Sequence, residues 1–344
     1  MRVLFVKLTS MGDVLHLLPA LSDLHKHHPD VKVDWMVEDS FSELPAWHPI
    51  VNRVIPVATR RWRKLSLSSV REFFAFVKAL RSQPYDMVVD AQGLIKSAVF
   101  ARIAKCTKKG VRAGFSGASI KESPAAYLYQ KRVHVSREQH AIMRLRKLCA
   151  GVFNYQVLDD QPINYSIQSI KPEGNEQKEA PTILLLHGTT WSTKHLPKQR
   201  WRELADLITQ DGYRVILCWG NEAEHQRAKW VAENRDSVHV LPKSSLSDLA
   251  ATIANVTGVL AVDTGLGHMA AALGVPAVSI YGPTDALLTG SIGDKQTHLQ
   301  STYACSPCLL KECNKLTPYI TDPPCYEEFN APRIWQTLRH SIEQ

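Results

Sequence analysis

Short apolar runs alternate with segments of helical period along most of this 344-residue chain, and that alternation leaves little choice of architecture. Arg2 to Leu8 is a compact, mostly apolar run and reads as a buried parallel strand. From Val14 on, the apolar residues Val14, Leu17, Leu18, Leu21 and Leu24 recur at helical spacing. Strand-like runs follow at 31–37, 53–57 and 85–90, with helical pieces around 41–47, over 70–81 and from Gly93 to about Lys105. Residues 171–181, KPEGNEQKEAP, are polar with Pro and Gly near their flanks, as a linker is. The pattern then restarts. ILLLHGTT (183–190), YRVILCWG (213–220), VHVLP (238–242), GVLAVDTG (258–265) and PAVSIYG (276–282) read as strands with their loops. Between them lie helical stretches at 198–210, 222–234, 245–254 and 268–273, completing five βα steps. Such alternation predicts parallel sheets with helices on both faces. The expected fold is α/β: two doubly wound, Rossmann-like domains, 1–170 and 182–331, joined by the linker, with a last helix (332–344) crossing back to the first. Ligands of such sheets bind beyond the C-terminal strand ends, so two sets of strand-end loops are expected to face a cleft.

Composition narrows the class. The chain is 44% hydrophobic and 22% charged with no low-complexity tract, the make-up of a soluble globular protein. No apolar segment approaches the roughly 20 residues that a spanning helix needs. A signal peptide is disfavoured because Lys7 interrupts the first apolar run, Asp13 follows and no A-x-A-like site appears. Charge is uneven: residues 1–170 hold 25 Lys and Arg against 14 Asp and Glu, a net of +11, whereas 171–344 hold 16 against 19, a net of −3. The first half is therefore suited to an anion, whether nucleic acid, a phosphorylated molecule or a membrane surface. Seven cysteines, an odd number without a signal peptide, point to a reducing cytosol. Cys106, Cys149 and Cys218 read as small buried hydrophobes. Cys305, Cys308, Cys313 and Cys325 lie close enough in sequence for a zinc tetrahedron, but their spacing matches no common ribbon, and structural thiols are the preferred reading.

Three strand ends in the second half carry chemistry. Thr189, Thr190 and Lys194 in HGTTWSTK offer hydroxyls and an ammonium to a pyrophosphate, although an ordinary polar loop fits as well. Glu222 and Glu224 open a helix, where acids are favoured with or without a ribose to bind. Asp263-Thr264-Gly265-Leu266-Gly267-His268 ends a strand and starts a small-residue helix. Gly265, Gly267 and Ala270 satisfy G-x-G-x-x-A, but at the fourth strand of the domain rather than the first.

In the first half, LTSMGDV occupies a strand–turn–helix start without a phosphate-binding fingerprint. Its Asp13 reads as an N-cap for the helix from Val14 or as a catalytic carboxylate, which Lys7 would steady. Residues 58–82 set Arg60, Arg61, Arg63 and Lys64 around Trp62 ahead of an aromatic helix. A solvated loop, a nucleic-acid patch and a site for a phosphorylated lipid compete here; the basic aromatic cluster beside an amphipathic stretch suits an interface, and no nucleic-acid module is recognisable. Lys96, Lys121 and His140 extend the anion-binding wall.

Together, LTSMGDVLHLLPAL, HGTT…K and DTGLGHMAAALG…PAVSIYGPTD resemble the ADP-heptose:lipopolysaccharide heptosyltransferases, family-9 glycosyltransferases of the GT-B fold. DWMVEDSF, NRVIPVATRRWRK and DAQGLIKSA point to the branch that adds the first heptose, and the resemblance runs from Met1 to about Asp285. It implies that the second domain binds ADP-L-glycero-β-D-manno-heptose through Thr189, Thr190, Lys194, Glu224, Asp263, Thr264, Gly265 and His268, with Glu224 preferred to Glu222. It implies that the first domain takes the inner Kdo of lipid A, with Lys7, Thr9, Ser10, Gly12, Arg60, Arg61, Arg63, Lys64, Gln92, Lys96, Lys121 and His140 as the acceptor set. At Lys121 the resemblance leads one to expect arginine, whose bidentate pairing an ammonium lacks. It also favours Asp13 as the general base.

No D-x-D motif is present, so no metal and no cofactor are expected, and the leaving diphosphate falls to Lys194, hydroxyls and helix N-termini. The implied enzyme is inverting, cytoplasmic and peripheral on the inner membrane, and binds no nucleic acid. Three rivals remain: transfer onto a heptose acceptor, an NAD(P)-dependent oxidoreductase resting on Gly265, Gly267 and Ala270, and a non-catalytic anion binder resting on the basic half.

Overall fold

The computed structural model describes residues 1–64, 66–167 and 180–343. Most of the expected linker, 171–181, lies outside the described residues. The chain divides into two compact units, Met1–Ile167 and Gln168–Gln344.

The first unit holds six strands: β1 (Arg2–Val6), β2 (Lys32–Glu38), β3 (Val51–Val57), β4 (Tyr85–Asp90), β5 (Cys106–Phe115) and β6 (Lys131–Val133). They form one parallel sheet in the order β3-β2-β1-β4-β5-β6. The second unit repeats the topology with β7 (Thr182–Leu186), β8 (Arg214–Leu217), β9 (Val238–Val240), β10 (Gly258–Val262), β11 (Ala277–Tyr281) and β12 (Gln296–Gln300). Its order is β12-β11-β10-β7-β8-β9. In each unit the first and fourth strands are neighbours and the winding reverses between them, which opens a crevice beyond their C-terminal ends.

The inner residues of the central strands are apolar because both faces are covered: Val3 to Val6 and Val259 to Val262 have no solvent exposure. In the first unit Leu4, Val6, Ile55 and Val88 pack with Phe76 and Leu80 of the helix Leu67–Leu80 and Phe100 of Ile95–Ile103. In the second, Ile183, Leu185 and Leu260 pack with Trp201 and Leu204 of the helix Lys198–Gln210. The last helix, Ala331–Glu343, docks Ile334, Trp335 and Leu338 on that same core, and the Trp335 indole donates to Asp211 at 2.7 Å.

Several elements depart from the sequence reading. The apolar run of β1 continues to Leu8, but pairing stops at Val6, and the helix expected from Val14 begins at Met11 with Ser10 as its N-cap. Asp13 is thus the third helical residue, not the cap. The helix breaks after Leu15 because Pro19 opens the next one, Leu18–His27. Three strands, β5 (CTKKGVRAGF), β6 (KRV) and β12 (QTHLQ), lack an apolar run: they lie away from the sheet centre and are largely half-buried. The second unit therefore has six βα-type strands where the pattern showed five. The helix Ala141–Phe153 also went unread; its fully buried Arg146 pairs with Asp23 at 2.6 Å, which ties it to Leu18–His27.

Candidate active site

The crevice of the first unit is bounded by the loops after β1 and β4. Asp13 stands in it because Ser10 starts a helix there: the Ser10 N–H and hydroxyl donate to Asp13 Oδ2 at 2.8 and 2.9 Å. Lys7 leaves the end of β1 with its side chain only 7% exposed and donates to Asp13 Oδ1 at 3.3 Å. Burial would raise the Asp13 carboxyl, but Lys7, the Ser10 donors and His16 outweigh it and hold it at about 2. With 43% of its side chain open to solvent, Asp13 is an ionised carboxylate that a substrate can reach.

Around it lies a cavity of about 200 Å³ lined by Lys7, Asp13, Gln92, Lys121, Arg137 and Arg144 among others. Lys121 and Gln92 of the expected acceptor set therefore sit with Asp13. Gln92 also turns its Oε1 to the backbone N–H groups of Leu8 and Thr9, at 3.0 and 3.3 Å. Thr9 and Ser10 form the turn itself, and Gly12 is buried in the helix that the turn starts. His140 caps the helix Ala141–Phe153, accepting from the Ile142 N–H at 3.1 Å, and its ring lies 5.7 Å from that of His16. Arg137 and Arg144 were missed from sequence. Arg144 lies over the Phe115 ring at 5.2 Å and donates to the Ser119 carbonyl; burial, and then Arg137, lower its affinity for its proton. Nothing in RLRK distinguishes Arg144, which lines the cavity, from Arg146, which is committed to Asp23.

The basic cluster divides by partner. It begins in a one-turn helix, Thr59–Trp62, after β3. Arg61 is held by Asp39 and Glu72, each at 3.0 Å, so its charge is balanced internally. Arg60, Arg63 and Lys64 are exposed. Lys96 reaches the Thr59 hydroxyl at 3.2 Å, joining this cluster to the start of the helix Ile95–Ile103. Burial lowers the Lys96 pKa against the pull of Glu38, and Arg63 and Arg60 lower it further.

In the second unit the crevice lies between β7 and β10. Lys194 forms a 2.6 Å ion pair with Asp263 Oδ2, both side chains being largely buried. The Thr284 hydroxyl donates to the same oxygen at 2.6 Å, and Thr189 donates to the Asp263 carbonyl at 3.0 Å. Asp263 therefore fixes Lys194 beside the HGTT loop. Thr190 is exposed on that loop. Thr264 is the N-cap of the helix Gly265–Ala272, so the first N–H groups of that helix point into the crevice. His268 is buried within it. Glu224 is distinguished from Glu222 by geometry: it accepts from the Gly220 N–H at 2.7 Å and its carboxylate lies over Gly188, where a Cβ would stand 2.7 Å from its carboxyl carbon. Glu222 instead turns to Gln226 and His225.

The cysteine-rich segment has a place in this site. Thr193 and Ser192 donate to the carbonyls of Leu310 and Lys311 at 2.7 and 2.8 Å, so the segment buttresses the loop that presents Lys194. Its four cysteines are unbridged, with Cys325 buried against Gly282.

The chain is similar to known proteins. The family model described as glycosyltransferase family 9 (heptosyltransferase) matches residues 73–318. Lipopolysaccharide heptosyltransferase 1 of Pseudomonas aeruginosa is 42% identical over 97% of this chain and 96% of its own. The protein of the same name from Escherichia coli is 43% identical over 86% of this chain and 92% of its own. The structure of E. coli heptosyltransferase WaaC with ADP superposes with a TM-score of 0.86 at 38% identity, covering 99% of this chain and 100% of that one. WaaC with ADP-2-deoxy-2-fluoro heptose gives 0.79 at 42% identity, over 88% and 93%. Two parallel sheets of this topology and these likenesses make the fold GT-B, and the chain belongs to glycosyltransferase family 9, the heptosyltransferases.

Proposed function

We propose that this protein moves L-glycero-D-manno-heptose from ADP-L-glycero-β-D-manno-heptose to the inner Kdo of Kdo-lipid A, with inversion and without a metal, adding the first heptose of the lipopolysaccharide inner core. One observation carries the reading: an ionised, solvent-reachable Asp13 in a cavity ringed by Lys7, Lys121, Arg137 and Arg144. The chain around it is 42% identical to lipopolysaccharide heptosyltransferase 1. The acceptor brings carboxylate and phosphate groups, which these cations and the exposed Arg60, Arg63 and Lys64 complement.

The donor belongs to the second unit. Lys194, Thr189, Thr190 and the helix start at Thr264 and Gly265 meet the diphosphate, Glu224 accepts from the ribose, Asp263 holds Lys194 in place, and His268 completes the set. Asp13 takes the proton of the acceptor hydroxyl as its oxygen attacks the anomeric carbon from the face opposite ADP. The bond from that carbon to the diphosphate oxygen breaks, ADP leaves with the electron pair, and the anomeric configuration inverts. Lys194 and the helix N–H groups offset the charge that grows on the diphosphate. Because Asp13 titrates at about 2, it is in its basic form throughout the neutral range.

Attachment is peripheral, to the cytoplasmic face of the inner membrane. Leu67, Val70 and Phe74 are 84, 45 and 66% exposed on the first half of the helix Leu67–Leu80, next to Arg60, Arg63 and Lys64. Among the described residues no helix is long and apolar enough to cross a membrane. The test of the whole reading is Asp13→Asn assayed with ADP-heptose and Kdo-lipid A. Turnover falls by roughly 10²–10⁴-fold, the usual contribution of a general base, while calorimetric affinity for ADP-heptose is unchanged; near-normal turnover would sink the assignment.

A further inference from the structure

Asp90 ends β4, directly beside Val6 at the end of β1, and is completely buried. A buried carboxylate needs its lone pairs filled, and here four donors do so. The N–H groups of Gln92 and Gly93 donate at 2.9 and 3.1 Å, the Ser97 hydroxyl at 2.8 Å and the Tyr129 hydroxyl at 2.6 Å. Two of these donors belong to the loop after β4 and two to elements packed behind it. The loop is thereby given one shape. Gly93 closes it at φ +73°, and a Cβ there would stand 2.6 Å from Ile120 Cγ2, so no other residue fits.

That shape aims the Gln92 side chain across the switch point. Its Oε1 takes the N–H groups of both Leu8 and Thr9, the two residues that lead from β1 into Ser10. Ser10 and Lys7, on either side of them, are the residues that hold the two oxygens of Asp13. A continuous series of hydrogen bonds therefore runs from Tyr129 and Ser97 through Asp90, the Gln92 backbone and the Gln92 amide to the turn that carries Asp13.

We propose that Asp90 and Gln92 are positioning residues for the transfer reaction: together they latch the loop after β4 to the loop after β1 and so fix the direction of the Asp13 carboxylate. The proposal rests on the assignment of Asp13 as the base. A base must meet its proton within hydrogen-bond reach, and a displacement of about 1 Å is enough to reduce turnover by roughly 10²-fold. Asparagine at 90 would present an amide N–H₂ to donors that need an acceptor. Leucine at 92 would leave two backbone N–H groups without Oε1, whereas glutamate at 92 keeps an acceptor oxygen within reach of both.

The experiment measures kcat, KM for ADP-heptose and KM for acceptor in Asp90→Asn, Gln92→Leu, Gln92→Glu and the Asp90→Asn/Gln92→Leu pair. Both single losses are expected to lower kcat by roughly 10- to 100-fold, with KM for ADP-heptose unchanged because the donor residues lie in the other unit. Gln92→Glu recovers most of the kcat lost in Gln92→Leu, and the double variant loses no more than the worse single, as residues acting in series should. In an Asp13→Asn background Gln92→Leu lowers kcat no further. An unchanged kcat in Gln92→Leu overturns the latch, as does an equal loss in Gln92→Leu and Gln92→Glu or a further loss in the Asp13→Asn background. Should Asp90→Asn fail to fold, the Gln92 pair decides the matter alone. If Asp13→Asn is itself active, the base assignment fails instead, and the two failures are distinguishable.

Discussion

Replacing Lys7 by methionine isolates what sets the ionisation of Asp13. Wild-type Asp13 is lowered from 3.8 to about 2 although burial pushes it upward, and Lys7 is the foremost of the groups that pull it down. One pKa unit corresponds to about 1.36 kcal/mol. Because 43% of the Asp13 side chain is open to water, screening leaves the Lys7 share on the order of 1 kcal/mol. The sign follows from the direction of the shift. A depressed carboxyl stabilises the folded protein at pH above its unfolded value of 3.8, and that contribution is lost as pH falls toward about 2. Lys7→Met removes the charge, keeps the buried stem and leaves no enclosed charge unpaired, since Asp13 retains the Ser10 donors and water. The variant therefore folds, with a melting temperature within about 2–4 °C of wild type. Asp13 then titrates higher, because burial raises it and the foremost charge opposing burial is gone. The assay is kcat/KM against pH from 3 to 8, run beside thermal unfolding over the same range. Lys7→Met loses activity on the acid side at a higher pH than wild type does. Superimposable profiles down to pH 3 with an unchanged kcat would refute the account of how Asp13 is kept ionised.

Three further outcomes follow from the same structure. Lys194→Ala leaves Asp263 buried with only neutral donors, so it lowers both ADP-heptose affinity by calorimetry and stability, the latter by about 3 kcal/mol; Thr190→Ala, on an exposed site, weakens binding without moving the melting temperature. Gly188→Ala displaces the Glu224 carboxylate, the flexible end of a side chain, so the melting temperature holds while donor affinity drops to that of Glu224→Ala. Leu67→Glu with Phe74→Glu reduces co-flotation with vesicles containing phosphatidylglycerol and leaves turnover of a deacylated, water-soluble acceptor unchanged.

What could be read from the sequence follows what short-range physics controls. The apolar runs at 2–8, 85–90, 183–186 and 258–262 announced buried parallel strands because central strands covered on both faces are mostly apolar. The helix at 198–210 was legible to the residue, since its stripe of Trp201, Leu204, Ala205 and Ile208 faces one core. Strands β5 and β12 were not legible, because strands away from the sheet centre are half-exposed and need no apolar run. At the site, strand-end position marked Asp13, Thr189, Thr190, Lys194 and Asp263 before any coordinates, since ligands of this fold meet those loops.

The sequence by itself thus determined the two wound sheets, the basic first half and the strand-end residues offered to ligands. Only the tertiary structure decided which of several chemically equal groups is available. Arg144 lines the cavity while Arg146, two residues on, is sealed against Asp23; Arg61 is balanced by Asp39 and Glu72 while Arg60 and Arg63 face solvent. Asp13 is reachable and Asp90 is enclosed, although one follows β1 and the other ends β4, neighbouring strands of one sheet. The reason is that a charged side chain is defined by its partners, and those of Arg61 and Arg146 lie 11 to 123 positions away along the chain. Periodicity reports which face a residue shares with its neighbours in sequence, and it carries no information about a contact that folding creates.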